Sequence, residues 1–165
     1  MPNMGYMELL RNVRNMEESG VASDILDIAA SRLSDPQQIR DSRQMPLRFW
    51  SAAKALSDSR TFESALESGL EVSTEAVPPL DGRTLILVDQ SGSMGVPYGG
   101  YRNIGDINVD SQATLGEVAA LYGAALAKRS KDVDLVMFGS SHHLATDVKD
   151  SSILDSVRNH GSASL

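Results

Sequence analysis

Residues 85–95 read LILVDQSGSMG, an apolar run that ends on Asp89 and continues into Ser91 and Ser93 with Gly92 between them. Alternation along an extended loop lets the oxygens of Asp89, Ser91 and Ser93 converge on one point. Such hard oxygen donors suit Mg²⁺ first, with Mn²⁺ or Ca²⁺ as further candidates. Gly92 is expected to supply a tight turn between the serines. Three other readings compete. A serine nucleophile would sit in G-x-S-x-G, but the residue two before Ser93 is Ser91, which adds bulk where the strained elbow needs none. His142, His143 or His160 would then have to supply the base. A phosphate loop needs G-x-x-x-x-G-K-[ST], and no lysine-serine pair follows the glycines between Gly95 and Gly105. The plainest alternative is that the aspartate and serines only cap a turn and the next helix.

Composition narrows the chemistry further. The chain has no cysteine, which removes disulfides, thiolate zinc sites and cysteine nucleophiles, so a metal must be held by oxygen or by one of the three histidines. A net charge of -7 opposes bulk polyanion binding while leaving room for a local basic patch. No apolar run reaches the length of a membrane span, and the N-terminus lacks the pattern of a secretory signal, so a cytoplasmic protein without membrane contact is expected.

The elements that must position the motif fall into two halves, 1–76 and 77–165. Residues 6–71 read as helix almost throughout. Leu9, Leu10, Val13 and Met16 recur at helical spacing, as do Val21, Ile25, Ile28, Ala29 and Leu33, with a break at Ser19-Gly20. Asp35-Pro36 offers an N-cap and first-turn proline for a short helix that must end near Met45, before Pro46. Leu47 to Leu56 continues as helix, and Asp58 or Ser59 can cap a last one carrying Phe62, Leu66 and Leu70. This half reads as a HEAT-like helical stack. Val77-Pro78-Pro79-Leu80-Asp81-Gly82 is a linker and turn. Thr84 to Val88 then has the composition of a strand buried on both faces of a parallel sheet. A polar, glycine-rich loop from Gly92 to about Ser111 follows, then a helix over Leu115 to Lys128 and a strand over Val133 to Phe138. A weaker strand over Leu144 to Val148 and a helix capped by Ser151 or Ser152 and running through Val157 complete the pattern. Strand, loop, helix, strand predicts a doubly wound, Rossmann-like α/β domain, in which ligands bind beyond the carboxyl ends of the strands, where Asp89 lies.

D-Q-S-G-S-M after an apolar strand resembles the D-x-S-x-S motif of von Willebrand factor A domains, which forms their metal-ion-dependent adhesion site. M-x-L-L-R-N-V-R-N-M at Met7 to Met16 and S-R-Q-M-P-L-R-F at Ser42 to Phe49 resemble the last helices of the TROVE module of Ro-type RNA-binding proteins. In that family a ring of helical repeats leads into an A domain. The resemblance implies a shortened, non-enzymatic Ro-type protein: the end of a TROVE module, then a partial A domain. It implies small noncoding Y-like RNA as partner. It also implies that Asp89, Ser91 and Ser93 form the first metal loop. The family's G-G-T loop finds its nearest equivalent in His160-Gly161-Ser162, so Ser162 would give the further hydroxyl, with Thr114 as an alternative; the family's later aspartate loop has no counterpart. Without the A domain's other strands, Leu85 to Val88 becomes a sheet edge, so self-association, a partner chain or a rearranged loop after Gly95 is expected to cover it.

Arg11, Arg14, Arg40, Arg43 and Arg48 lie in the segments that resemble the RNA-binding module, with Trp50 close by for stacking. Against this stands pairing of the arginines with Glu8, Glu17, Glu18 and Asp41 on solvated faces, and a core position for Trp50. The methionines, among them Met4, Met7, Met16 and Met45, read as core filler. His142 and His143, adjacent on an extended chain, are expected to point apart on an exposed loop. The alternative function is a protein-binding module that has given up RNA and turns its metal site toward a partner's carboxylate; a hydrolase using Ser93 is a third.

Overall fold

The computed structural model describes residues 4–56, 60–98 and 113–162. The chain forms two compact units, Met1–Thr74 and Glu75–Leu165. The first consists of helices α1 (Tyr6–Glu18), α2 (Ser23–Leu33), α3 (Pro36–Ser42), α4 (Pro46–Ala55) and α5 (Glu63–Thr74). On α1 the buried residues are Leu9, Leu10, Val13 and Met16, the stripe expected from their spacing. Gly20, at φ +65°, takes the left-handed turn that separates α1 from α2. The Tyr6 hydroxyl donates to the Leu33 carbonyl at 2.8 Å, tying the start of α1 to the end of α2. Burial, and secondarily the Asp35 charge, push that phenol above its usual titration range.

Asp35 caps α3 by accepting from the Gln38 N–H at 2.8 Å, and Pro36 takes the first helical position. The helix stops at Ser42, because Arg43 sits at φ 51° and reverses the chain. Met45 is extended ahead of Pro46, which starts α4. Phe49, Phe62, Leu66, Leu70, Leu33 and Ile39 fill the centre, each fully buried. Removing each from water contributes roughly 1.5–3 kcal/mol. Trp50 belongs to this core at 5% exposure, so it is no stacking platform. The methionine expectation fails in part: Met16 is buried, but Met7 and Met45 stand 48% and 61% exposed. Met7 lies off the apolar stripe of α1, and Met45 occupies the extended link before α4. The expected caps Asp58 and Ser59 lie outside the described residues.

The second unit contains β1 (Arg83–Asp89), a 3-10 turn (Gly92–Gly95), α6 (Leu115–Arg129), β2 (Asp132–Phe138), β3 (His142–Leu144) and α7 (Ile153–His160). Strand order is β1-β2-β3. β1 and β2 are parallel, with Ile86 opposite Leu135 and Asp89 opposite Phe138, and β3 runs antiparallel to β2 with His142 opposite Phe138. The chain is therefore of the α/β class, a helical region followed by a small mixed sheet. Three expectations change. The third strand is His142–Leu144, not Leu144 to Val148, and it is antiparallel because the turn at Gly139–Ser141 leaves no room for a crossover. The last helix extends past Val157 to His160.

The third change concerns β1, which is not buried on both faces. Val88 and Ile86 pack against Ala120, Ala124, Leu135 and Met137, whereas Leu85 and Leu87 are 61% and 60% exposed. Among the described residues of this unit, α6 supplies the helical cover and lies over one face alone, so the unit is half of a doubly wound layer arrangement. The close seat of α6 on β1 depends on Gly123, where a Cβ would stand 2.6 Å from Val88 Cγ2.

Candidate functional site

Strand alternation fixes the local arrangement of the motif. Asp89 falls on the open face with Leu85 and Leu87, and Gln90 turns inward. The Gln90 N–H donates to the Phe138 carbonyl at 2.7 Å, extending the ladder to the loop. Its side chain is fully buried, and Nε2 donates to the Gly116 carbonyl at 2.9 Å in the first turn of α6. Gly116 makes this possible, since a Cβ there would stand 2.7 Å from Gln90 Oε1. The inward glutamine thus anchors the loop while its neighbours face outward.

Asp89 Oδ1 accepts from the Ser91 N–H at 2.8 Å, and the Ser91 and Ser93 hydroxyls lie 3.2 Å apart. Hydrogen bonding by Ser91, first through its backbone and then through its side chain, holds the Asp89 carboxyl below the usual carboxylate range. At neutral pH the group is an anion with one oxygen oriented by the Ser91 N–H. Adjacent ligands around an octahedral Mg²⁺ with ~2.1 Å bonds are about 3 Å apart, so the serine spacing fits a hard cation. Gly92 makes no use of its special freedom: its φ is not positive, and a Cβ there would meet nothing within 4 Å. The turn is an ordinary 3-10 one closed by the Met94 N–H on the Ser91 carbonyl at 2.8 Å.

The other candidates fall as follows. Thr114 is the N-cap of α6, accepting from the Glu117 N–H at 3.1 Å while its own N–H donates to Glu117 Oε2 at 2.7 Å. That capping box occupies the hydroxyl. The chain on either side of the long loop closes on itself, with Pro97 paired to Thr114 and the Tyr98 N–H on the Ala113 carbonyl at 2.7 Å; residues 99–112 of the expected loop lie outside the described residues. Gly161 caps the end of α7 and packs beside Gly116 and Glu117, which brings the expected second loop to the α6 end that holds Gln90. Ser162 follows it and is exposed.

One constellation escapes sequence reasoning. Asp147 Oδ1 lies 2.9 Å from His160 Nε2, and His160 Nδ1 lies 3.2 Å from His143 Nε2. With Nε2–H of His160 donating to Asp147, Nδ1 is left to accept from His143 Nε2–H. His143 is thereby half-buried and tied to α7, contrary to the expectation of a loose loop, whereas His142 is exposed. The His160 hydrogen bond is the main cause that holds the Asp147 carboxyl below its usual range. Both nitrogens of His160 are engaged, so it is not poised as a base for Ser93. No local signal could have joined these residues, which meet only through the packing of α7 beside β3.

In the first unit all five candidate arginines are exposed. Arg11, Arg14 and Arg48 line one groove of about 260 Å³ between α1 and α4, together with Met7, Leu10 and Gln44. Arg14 also meets Glu18 at 3.3 Å, a solvent-exposed pair that contributes little. Arg40 and Arg43 belong to α3 and its C-cap and do not line the groove.

The chain is similar to the crystal structure of the Deinococcus radiodurans Ro (RSR) protein, with a TM-score of 0.69 and 21% identity over 98% of this chain. It spans about a third of that protein, covering 34% of its length. Residues 1–68 match the TROVE domain family. No curated protein matches it. No helix among the described residues is long and apolar enough to cross a membrane.

Proposed function

We propose that this chain is a non-enzymatic RNA-binding protein of the Ro type, whose helical unit contacts small noncoding RNA of the Y-like kind. The observation that carries the reading is the gathering of Arg11, Arg14 and Arg48 around one groove, within residues that match the TROVE domain, in a chain whose net charge is -7. A basic groove on an acidic protein marks a place for phosphate, and its apolar floor of Met7 and Leu10 gives an unpaired base a surface to rest on. Arg40 and Arg43, exposed at the end of α3, extend the positive surface along the backbone of a longer RNA. Replacement of Arg11, Arg14 and Arg48 by alanine should weaken binding of a single-stranded RNA and flatten its salt dependence. Unchanged affinity and slope would refute the assignment.

In the second unit, the reading is that Asp89, Ser91 and Ser93 hold Mg²⁺, with Mn²⁺ or Ca²⁺ able to replace it, and that Ser162 completes the site from the loop after α7. The serine spacing and the anionic state of Asp89 support it. A bound cation would offer an open coordination position to a carboxylate of a protein ligand. Isothermal titration of MgCl₂ into the chain and its Asp89→Asn variant tests this: heat of binding in the first and none in the second is expected, and equal traces would overturn it.

A further inference from the structure

His143, in the middle of β3, and His160, the last residue of α7, meet nitrogen to nitrogen. His143 Nε2 lies 3.2 Å from His160 Nδ1, and the ring centres are 5.3 Å apart. Two imidazole nitrogens on one tetrahedral Zn²⁺, each about 2.05 Å from the ion, stand about 3.3 Å apart with ring centres about 5.2 Å apart. The observed pair falls within about 0.1 Å of both values. A linear hydrogen bond of the same length would hold the ring centres about 5.5 Å apart, so the two nitrogens are bent toward the arrangement that a shared ion requires. Behind the pair, Asp147 Oδ1 accepts from His160 Nε2–H at 2.9 Å, which leaves the Nδ1 lone pair of His160 directed at His143. A carboxylate bonded to the far nitrogen is the usual support of a metal-bound histidine: it fixes the tautomer, holds the ring and strengthens the donor.

We propose that His143 Nε2 and His160 Nδ1 bind Zn²⁺, with Asp147 as the carboxylate that positions His160. The ion takes the place of the shared hydrogen, and the proton of His143 Nε2 moves to its Nδ1 through solvent, so no proton is lost overall. Imidazole nitrogen suits Zn²⁺ and not Mg²⁺, which separates this site from the oxygen donors of Asp89, Ser91 and Ser93. The surroundings favour a cation: His160 ends α7, where the last carbonyls point at the site, and the Asp147 carboxylate stands beside it. Access is open, because the His160 side chain is 11% exposed and that of Asp147 46%. Among the described residues no third histidine, aspartate or glutamate gathers with the pair as a ligand, so water fills the remaining positions. Such a site binds and releases its ion readily, and when filled it clips β3 to the end of α7. This inference is independent of the RNA and Mg²⁺ readings.

The chain has three histidines and no cysteine, so His142 is the remaining imidazole and serves as an internal control. The untagged, chelator-treated full chain is titrated with ZnCl₂ in excess MgCl₂, which keeps the oxygen donors at Asp89 occupied or irrelevant. Calorimetry should show one Zn²⁺ per chain, bound at sub-millimolar concentration. His143→Gln and His160→Gln should each weaken binding about tenfold or more, Asp147→Asn by roughly 10–100-fold, and His142→Gln not at all. Imidazole nitrogen NMR of the wild type needs no variant and is read alongside: His143 Nε2 and His160 Nδ1 should shift on adding Zn²⁺, while His142 stays in place. Absence of Zn²⁺ binding up to millimolar concentration would overturn the proposal. So would binding that survives loss of either His143 or His160, an equal loss in His142→Gln, or NMR shifts centred on His142.

Discussion

Replacing Gly116 by alanine sets two effects of opposite sign against each other. In an ordinary helix the change is favourable by up to about 1 kcal/mol, through helix propensity and a less flexible unfolded chain. Here the added Cβ would stand 2.7 Å from Gln90 Oε1 and 3.1 Å from the Gly161 carbonyl, too close on both sides for an unshifted neighbour. Gln90 is fully buried and cannot swing into solvent, so relief must come from moving the strand-end loop or the start of α6. Overpacking of this kind costs about 1–3 kcal/mol, and loosening the bond from Gln90 to the Gly116 carbonyl adds roughly 1 kcal/mol. The net expectation is a loss of about 1–3 kcal/mol, a fall of roughly 5–20 °C in the melting temperature of a unit this size. Differential scanning calorimetry measures it, with hydrogen exchange at α6 assigning the transition to the second unit. Gly92→Ala is the control, because a Cβ there meets nothing and the backbone needs no glycine; it should stay within about 0.5 kcal/mol of wild type. A rise in melting temperature for Gly116→Ala would show that Gln90 does not lock the loop to the helix.

Loss of Arg11, Arg14 and Arg48 together should reduce the slope of log affinity against log salt for single-stranded RNA by about 2, at roughly 0.7 per phosphate contact, as read by fluorescence anisotropy. Asp147 titrates below the usual carboxylate range in the folded chain because His160 bonds to it, so its contribution is present above the unfolded carboxylate pKa and is lost as pH falls through the folded value. Acid unfolding of Asp147→Asn should accordingly be less steep than that of wild type in that acid window, and identical pH profiles would contradict the linkage. Asp89→Asn should abolish any Mg²⁺-dependent rise in thermal stability while leaving the metal-free melting temperature close to wild type, because the carboxylate lies at the surface and holds no buried partner.

Much of the fold follows from local signals. The stripe of α1, the cap at Asp35, the proline starts of α3 and α4 and the serine cap of α7 are all short-range chemistry. The same holds for the strand that ends at Asp89. The short link between Phe138 and His142 also signals a hairpin, because a parallel return needs a crossover of a dozen residues. Reading Leu144 to Val148 as a strand follows apolar composition and misses that length. Other features depend on what packs against what. Leu85 and Leu87 have the composition of buried residues, and only the one-sided cover by α6 leaves them exposed. The inward role of Gln90 is masked by its place between the motif's oxygen donors, although strand alternation puts it opposite to Asp89. Asp147, His160 and His143 are far apart in sequence, and nothing local predicts their chain of hydrogen bonds. Gly92 shows the reverse case, a glycine whose freedom the turn does not need.

The central claim is that the groove between α1 and α4 binds RNA through its arginines. Fluorescence anisotropy of a labelled single-stranded RNA, titrated with the full chain at several salt concentrations and compared with the Arg11, Arg14 and Arg48 alanine variant, tests it most directly. Binding that weakens steeply with salt in the wild type, and is lost or flattened in the variant, is the predicted result. Absence of binding at low salt, or binding with the same slope in both proteins, would contradict it.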